Sequence, residues 1–220
     1  HRKGKGMKKR MSAGGRREQI LEGAMRLFAQ KGFRGTTTRE IAQRLDISEA
    51  LMFKYFPSKE ALYRAIIQKK TDGSEEMLFP KEAIQAKDDR QVFQAIASYL
   101  IRKNTEDPTF MRLILYSSLE GHDLSNIFFE NHAAERTRLL SKYIRQRIKE
   151  KAFKKVPPML AARAFIGMVI HYVQTQEIHG MKETPRFSQK KVVDTLVGCF
   201  LHGLKGNQSR NEVRERKAAE

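Results

Sequence analysis

Apolar residues recur every three or four positions along most of the chain, which is the spacing of one face of an α-helix. In the first seventy residues this spacing predicts a long helix that ends near Gly32 and three shorter helices that begin after Thr37, Ser48 and Ser58. Each of these three side chains can accept a hydrogen bond from the backbone of the following turn and so cap a helix. Pro57 ends the third helix because the residue before a proline avoids helical geometry.

Beyond residue 70 the same spacing predicts longer helices. They are one through Val92 and Ile101, one that opens at Asp107-Pro108, one over Leu124–Lys151, one from Pro157-Pro158 to about His179, and a last one over Ser188–Leu204. No segment alternates apolar and polar residues for long, and no Asn-Gly or Asp-Gly hairpin turn occurs. The pattern therefore predicts an all-α fold.

Positive charge is concentrated in the first third of the chain. Lys and Arg number 43 against 25 Asp and Glu, and residues 1–70 hold 18 of these basic and 6 of these acidic side chains. A basic end on a more balanced body favours a nucleic-acid-binding module joined to a second domain with another role. The longest stretch without a charged residue, Ala164–Gln176, has 13 residues and is too short to span a bilayer. We therefore expect a soluble cytoplasmic protein.

Two short helices joined by a three-residue turn lie within the basic region. The first opens after Thr37, the turn is Asp46–Ser48, and the second helix runs over Glu49–Phe56. With a flanking helix on each side, this arrangement is typical of a helix-turn-helix unit, whose second helix fits the major groove of DNA. An ordinary helical hairpin is the alternative. The caps, the turn and the local positive charge favour the DNA-binding interpretation.

Residues 20–67 resemble the N-terminal domain of the TetR family of transcriptional regulators. The matching segments are Gly32-Phe33, TTREIA at 37–42, Ile47-Ser48, FKYF at 53–56 and SKEAL at 58–62. The resemblance implies an N-terminal helix-turn-helix DNA-binding domain plus a larger helical ligand-binding and dimerisation domain. We accordingly expect a basic arm over residues 1–17, the DNA-binding domain over 18–64, the second domain over 65–204 and a polar tail over 205–220. The expected function is a homodimeric repressor that a small effector releases from a near-palindromic operator in double-stranded DNA.

The resemblance also implies which residues contact DNA. Thr38 and Arg39 open the second helix and are expected at the DNA backbone and a base edge, while Lys59 is expected at a phosphate. Met52 and Phe56 are expected in the core. The full set of expected DNA contacts is Thr38, Arg39, Glu49, Ala50, Leu51, Phe53, Lys54, Tyr55 and Lys59.

Three positions depart from the family pattern. Asp46 stands where the turn often has Gly, and Asp tolerates left-handed backbone geometry better than most residues. Leu51 replaces a frequent hydroxyl residue and could contact a thymine methyl group. Phe53 replaces a frequent Tyr and cannot donate a hydrogen bond to a phosphate. The recognised DNA sequence is therefore expected to differ from that of better-matching relatives.

The second domain offers a dimer interface and a ligand pocket. The stretch Ala164–Gln176 is apolar around nearly its whole circumference, and the last helix carries a wide apolar stripe. The resemblance implies that these two helices pack against their mates in a second chain, and burial within one chain is the alternative. Core packing is likewise the alternative for every pocket candidate, among which the polar Tyr116, His132, His171 and Tyr172 are better placed to orient a ligand. The candidates are Phe93, Phe110, Met111, Ile114, Tyr116, Phe128, His132, Phe165, Met168, His171 and Tyr172.

No motif for catalysis or metal binding is found in the sequence. The six His are scattered, and there is no His-Glu-x-x-His, no Gly-rich phosphate loop and no Gly-x-Ser-x-Gly. The single cysteine, Cys199, lies on the apolar stripe of the last helix and is expected in the core. We expect no cofactor, and a mainly apolar or aromatic effector. The alternative function is a DNA-binding regulator or architectural protein that responds to no small molecule.

Overall fold

The structure is a computed structural model that describes residues 12–72, 79–121, 123–181 and 187–205. Within these ranges the chain is helical and contains no β-strand, which confirms the predicted all-α fold. None of the helices found there is long and apolar enough to cross a membrane. The helices are α1 (Ala13–Lys31), α2 (Thr38–Arg44), α3 (Glu49–Tyr55), α4 (Lys59–Thr71), α5 (Lys81–Gln85), α6 (Asp89–Glu106), α7 (Thr109–Leu119), α8 (Asp123–Phe128), α9 (Ala134–Lys149), α10 (Pro158–Glu177) and α11 (Gln189–Leu204).

The helices are arranged in two compact units. Among the described residues, the first unit is drawn from the range His1–Thr71 and from Thr109–Phe128, and the second from Asp72–Pro108 and from the range Phe129–Glu220. The division differs from the linear boundary expected between residues 64 and 65, which falls within α4. The first unit is therefore discontinuous in sequence, because α7 and α8 pack with α1 and α4.

The core of the first unit is built on the apolar face of α1. Ile20, Ala24 and Phe28 are fully buried, as the spacing predicts. The ring of Phe28 lies 5.6 Å from that of Phe33 and 5.4 Å from that of Tyr63, measured between centroids. This aromatic cluster joins α1, the turn that follows it, and α4.

The core of the second unit is centred on Phe93 of α6. Its ring centroid lies 4.8 Å from that of Phe165 on α10 and 5.1 Å from that of Phe200 on α11. At the edge of this core Asp89 accepts hydrogen bonds from the hydroxyl of Tyr143 at 2.7 Å and from Nε of Arg147 at 2.8 Å. Because Asp89 is buried, the ion pair ties the first turn of α6 to α9.

Several helix ends differ from the sequence-based prediction. The third helix stops at Tyr55, and Phe56 is its extended C-terminal cap. The sequence predicts a fourth helix from Lys59 to about Leu78; the helix ends at Thr71, and residues 73–78 lie outside the described residues. The single helix predicted over 124–151 is divided by a π-helical turn at Phe129–Ala133. Such turns insert one extra residue per turn and shift the helix face, which the three-to-four spacing does not reveal.

Cys199 is exposed, so its predicted place in the core is wrong. The stripe on α11 is buried within the second unit, where Val197 and Leu201 are 0% and 4% exposed. At 3.6 residues per turn, Cys199 is rotated by roughly 200° from Val197 and therefore points to the opposite side of the helix.

Candidate nucleic-acid interface

The helix-turn-helix begins at a capped turn. The backbone N–H of Glu40 donates to Oγ1 of Thr37 at 3.1 Å, which confirms Thr37 as the cap of α2. The Glu40 carboxylate pairs with Lys31 of α1. Oγ1 of Thr38 donates to the Glu49 carboxylate at 2.9 Å. This bond joins the first turn of α2 to the first turn of α3, so the two helix starts are held together.

The turn between α2 and α3 has the geometry expected of a helix-turn-helix. Asp46 adopts φ +54°, which confirms the left-handed conformation that its position in the turn demands. The N–H of Ile47 donates to the carbonyl of Ala42 at 3.0 Å and closes the end of α2. Ser48 then caps α3 by accepting from the N–H of Leu51 at 3.1 Å.

The predicted DNA contacts divide into exposed and half-buried side chains. Arg39, Ala50 and Lys54 are exposed, and the side chain of Phe53 is 41% exposed. The inner face of α3 is buried, and Met52 and Phe56 lie in the core as predicted. The half-buried members of the set are Thr38, Glu49, Leu51, Tyr55 and Lys59, of which Tyr55 packs against the core of the first unit.

Arginine and lysine side chains dominate the exposed surface around α2 and α3. Arg34, Arg39, Arg44 and Lys54 are exposed there, together with the acidic Asp46. The acidic Glu40 and Glu49 already have partners, Lys31 and Thr38. The surface is therefore suited to a polyanion, and exposed Phe53 adds an apolar group on α3.

Lys59 has bonding partners that the sequence did not predict. Its Nζ donates to the carbonyl oxygens of Phe33 and Thr36, each at 2.9 Å, and lies 4.3 Å from the centroid of the Phe33 ring. An ammonium group has three N–H donors, so one remains for a phosphate. The phosphate contact of Lys59 stays a prediction, and the structure adds a role in holding the turn before α2.

Glu120 is a residue that sequence reasoning missed. Its carboxylate accepts from the backbone N–H of Phe33 at 2.9 Å and from that of Arg34 at 3.2 Å. Glu120 lies 87 positions beyond Phe33 and 86 positions beyond Arg34 in the chain. The one local signal is an acidic side chain at the C-terminal end of a helix, where the helix dipole disfavours negative charge.

The predicted pocket residues do not gather in one compact unit. Phe110, Met111, Ile114, Tyr116 and Phe128 belong to the first unit, and Phe93, His132, Phe165, Met168, His171 and Tyr172 belong to the second. Phe93 and Phe165 are fully buried in the aromatic core. On α10, Met168 and Tyr172 are half-buried and His171 is exposed. The assignment of these residues to a ligand pocket stays a prediction.

The fold and this surface define a helix-turn-helix protein of the class that binds DNA. The family model for bacterial regulatory proteins of the tetR family matches residues 20–66, and the model for the C-terminal domain of AefR-like transcriptional repressors matches residues 90–203. The two models together cover most of the chain. The chain belongs to the TetR family of DNA-binding transcriptional regulators.

Curated relatives match mainly through the DNA-binding domain. YvkB, an uncharacterized transcriptional regulator of Bacillus subtilis, is 37% identical over 71 residues, which are 32% of this chain and 38% of YvkB. The transcriptional regulator RutR of Escherichia coli is 32% identical over 120 residues, or 53% of this chain and 54% of RutR. The chain thus spans about half or less of the length of these relatives.

Solved structures match over a larger share of the chain. AibR in complex with isovaleryl coenzyme A and operator DNA has a TM-score of 0.66 at 23% identity, covering 84% of this chain and 97% of AibR. PfmR, a TetR family regulator of Thermus thermophilus, has a TM-score of 0.68 at 21% identity, covering 90% of this chain and all of PfmR (100%). At these identities the likeness establishes the fold.

Proposed function

We propose that this chain is a homodimeric transcriptional repressor that binds a near-palindromic operator through α2 and α3 and is released by a small effector with a mainly apolar or aromatic part. The observation that carries the proposal is the exposed basic surface of a capped helix-turn-helix, with Arg39 on α2 and Phe53 and Lys54 on α3. The repressor role is supported by the C-terminal match to AefR-like repressors.

The exposed side chains suggest how a DNA sequence is read. Arg39 and Lys54 carry fixed positive charge and can donate to phosphates or to the acceptor atoms of guanine. Phe53 and the half-buried Leu51 offer apolar contacts that suit a thymine methyl group. The N–H groups at the starts of α2 and α3 add partial positive charge toward the DNA backbone. In this proposal Lys59 contributes its remaining N–H to a phosphate.

Dimerisation is supported by the outer sides of α10 and α11. On α10 the exposed residues include Ala164, Gly167 and His171, and on α11 they include Thr195 and Cys199. A methyl group built at Gly167 or at Gly198 would meet no atom within 4 Å. Small residues on open helix faces let another helix approach closely, and the buried stripe of α11 is already used within the chain. We therefore place the second copy on these outer faces.

An effector with an apolar part is supported by the AibR complex, in which a protein of the same fold binds isovaleryl coenzyme A. Phe93 and Phe165 are packed in the core, so a ligand that reached them would have to separate a formed aromatic cluster. Met168 and Tyr172, four residues apart on α10 and only half-buried, are the more accessible members of the predicted set. We assign effector contacts to these two residues first.

The test uses a duplex enriched by the 220-residue chain from a random library of about 30 base pairs, together with a scrambled duplex of the same composition. Fluorescence anisotropy measures the affinity for both, with and without isovaleryl coenzyme A, and free coenzyme A is the matched control. We expect a strong preference for the enriched duplex, which an effector weakens by about 5–150-fold, the usual range of coupling between two sites.

Each outcome bears on a different part of the proposal. Equal affinity for the enriched and scrambled duplexes would contradict sequence-specific binding. If isovaleryl coenzyme A raises the melting temperature yet leaves the affinity for the enriched duplex unchanged, release by an effector is wrong. The regulator that responds to no small molecule would then replace it.

A further inference from the structure

Glu120 lies at the C-terminal end of α7, where an acidic side chain does not stabilise the helix. Its N–H donates to the carbonyl of Tyr116 at 3.0 Å, so it continues the path of α7, and Gly121 with φ +62° follows. The C-terminal end of a helix carries partial negative charge, and a carboxylate there is disfavoured unless it has a partner elsewhere. The stability of α7 therefore does not account for this residue.

The partners of Glu120 are two backbone N–H groups in the turn after α1. Its carboxylate accepts from Phe33 at 2.9 Å and from Arg34 at 3.2 Å. Gly32 makes room for this arrangement, because a methyl group at that position would lie 2.1 Å from Oε1 of Glu120. The carboxylate thus fits closely against the backbone of this turn, and bonds of this charge-assisted kind are stronger than neutral ones.

Lys59 binds the carbonyl oxygens of the same turn. Nζ of Lys59 donates to the carbonyl oxygens of Phe33 and Thr36 at 2.9 Å each, and Oγ1 of Thr36 donates to the carbonyl of Gly32 at 2.8 Å. One carboxylate therefore binds the N–H groups of the turn while one ammonium binds its C=O groups. The backbone of residues 32–36 is fixed by the side chains of Glu120, which directly follows α7, and of Lys59 on α4.

This turn leads directly into the predicted DNA-reading helices. Thr37 caps α2, and Thr38 bonds Glu49 at the start of α3 at 2.9 Å. The position of the turn consequently sets where α2 begins, and the Thr38–Glu49 bond carries that position to α3. We propose that Glu120 is a positioning residue for operator recognition, which acts by holding this turn. The proposal rests on the DNA-reading role of α2 and α3 proposed above.

If Glu120 acted only through its negative charge, its removal would not weaken DNA binding. Loss of an acidic residue raises the net positive charge, which strengthens or leaves unchanged the binding of any DNA. A positioning role instead predicts weaker binding to the specific duplex and no loss on scrambled DNA. The sign of the change on the enriched duplex therefore separates the two explanations.

The experiment compares Glu120→Ala and Glu120→Gln with Glu106→Ala and Glu106→Gln. Glu106 is the matched control because it is an exposed acidic residue at the C-terminal end of α6. Affinities for the enriched and scrambled duplexes are measured where melting curves show every variant folded. We expect Glu120→Ala to lower affinity for the enriched duplex about tenfold, the effect of losing charged hydrogen bonds. Glu120→Gln should lose less, because its amide oxygen still accepts one bond.

The salt dependence and one further variant complete the design. The slope of affinity against salt concentration should stay that of the wild type in the Glu120 variants, since Glu120 contacts no phosphate in this account. If Glu120→Ala keeps the selectivity of Glu106→Ala while Arg39→Ala loses it, the positioning role is wrong and the proposed DNA surface stands. If Arg39→Ala also keeps full selectivity, both are wrong. Should Glu120→Ala fail to fold, Glu120→Gln decides alone: a selectivity equal to that of Glu106→Gln contradicts the positioning role.

Discussion

At the scale of single residues, Lys59 has a stabilising role and a predicted DNA contact that can be measured separately. Its ammonium bonds the carbonyls of Phe33 and Thr36 at 2.9 Å. We predict that Lys59→Ala lowers the free energy of unfolding by about 1–3 kcal/mol. We also predict a salt dependence of DNA affinity that is flatter by about one phosphate contact.

Urea denaturation measures the stability of the Lys59 variant, and a salt titration of DNA affinity measures the phosphate contact. Lys142→Ala, which removes an exposed lysine from α9, is the control for the loss of one positive charge. A salt slope equal to that of Lys142→Ala would contradict the phosphate contact and leave the stabilising role intact.

Tyr63 makes stability dependent on pH at alkaline values. It is fully buried, and among the described residues its hydroxyl has no hydrogen-bond partner. Burial raises the pKa of Tyr63 to about 12; the nearby Ser117 hydroxyl lowers it by a smaller amount, and the Glu120 carboxylate adds a smaller rise. In the unfolded chain the hydroxyl loses its proton near pH 10. Between these values the unfolded state is favoured as pH rises, because only the unfolded state releases the proton.

We therefore predict that Tyr63→Phe is as stable as the wild type, or more stable, at pH 7, because it removes a buried hydroxyl without a partner. From pH 10 to 12 the wild type should lose about 1.4 kcal/mol per pH unit relative to the variant. Thermal melts of both proteins across this range measure the difference. Parallel curves at all pH values would show that Tyr63 does not titrate in this way.

At the scale of the helices and turns, Asp46 determines how α2 is joined to α3. Its φ of +54° lies in the left-handed region, which Asp and Asn tolerate and β-branched residues do not. We predict that Asp46→Asn changes the free energy of unfolding by less than about 0.5 kcal/mol, while Asp46→Val lowers it by about 1–2 kcal/mol. Urea denaturation of the two variants provides the measurement. A Val variant as stable as the Asn variant would contradict the strained turn.

The helix starts in the DNA-binding domain were predictable because they depend on local chemistry. Thr37, Ser48 and Ser58 cap the helices that they were predicted to cap, because a cap involves only neighbouring residues. The contact between Glu120 and the turn at Phe33 was not predictable, because it joins residues far apart in sequence and leaves no spacing pattern. The π-helical turn at Phe129–Ala133 was also missed, because the spacing of apolar residues does not reveal one extra residue in a helical turn.

At the scale of the whole molecule, apolar stripes predicted burial but not what covers them. The family resemblance implied a dimer interface for the stripe that holds Val197 and Leu201, with burial in one chain as the alternative, and the structure buries both residues within the second unit. Phe110 and Phe128 come after residue 64, the predicted end of the DNA-binding domain. They nevertheless pack in the first unit, where their ring centroids lie 5.6 Å apart. Helix spacing identifies an apolar face, and only the tertiary fold decides its partner.

The proposed dimer gives a matched pair of predictions on adjacent residues of α11. Val197→Glu places a charge in the core and should unfold the second unit. Gly198→Glu places the same charge on the outer face, where a side chain has open space. The second variant should keep its helix content, since Glu favours helix over Gly, but become monomeric. Circular dichroism and sedimentation measure both properties, and a dimeric Gly198→Glu would place the interface elsewhere.

The central claim is that α3 reads a DNA sequence in a two-fold arrangement, and parallel selection from a random DNA library tests it most directly. The library is presented to the wild type, to Lys54→Ala and to the control Lys142→Ala. We predict that the wild type and the control enrich the same inverted repeat, with half-site centres about 34–36 Å apart. Lys54→Ala should enrich a sequence altered at one position of each half-site. Enrichment of the same sequence by all three proteins, or of single half-sites without a repeat, would contradict the account.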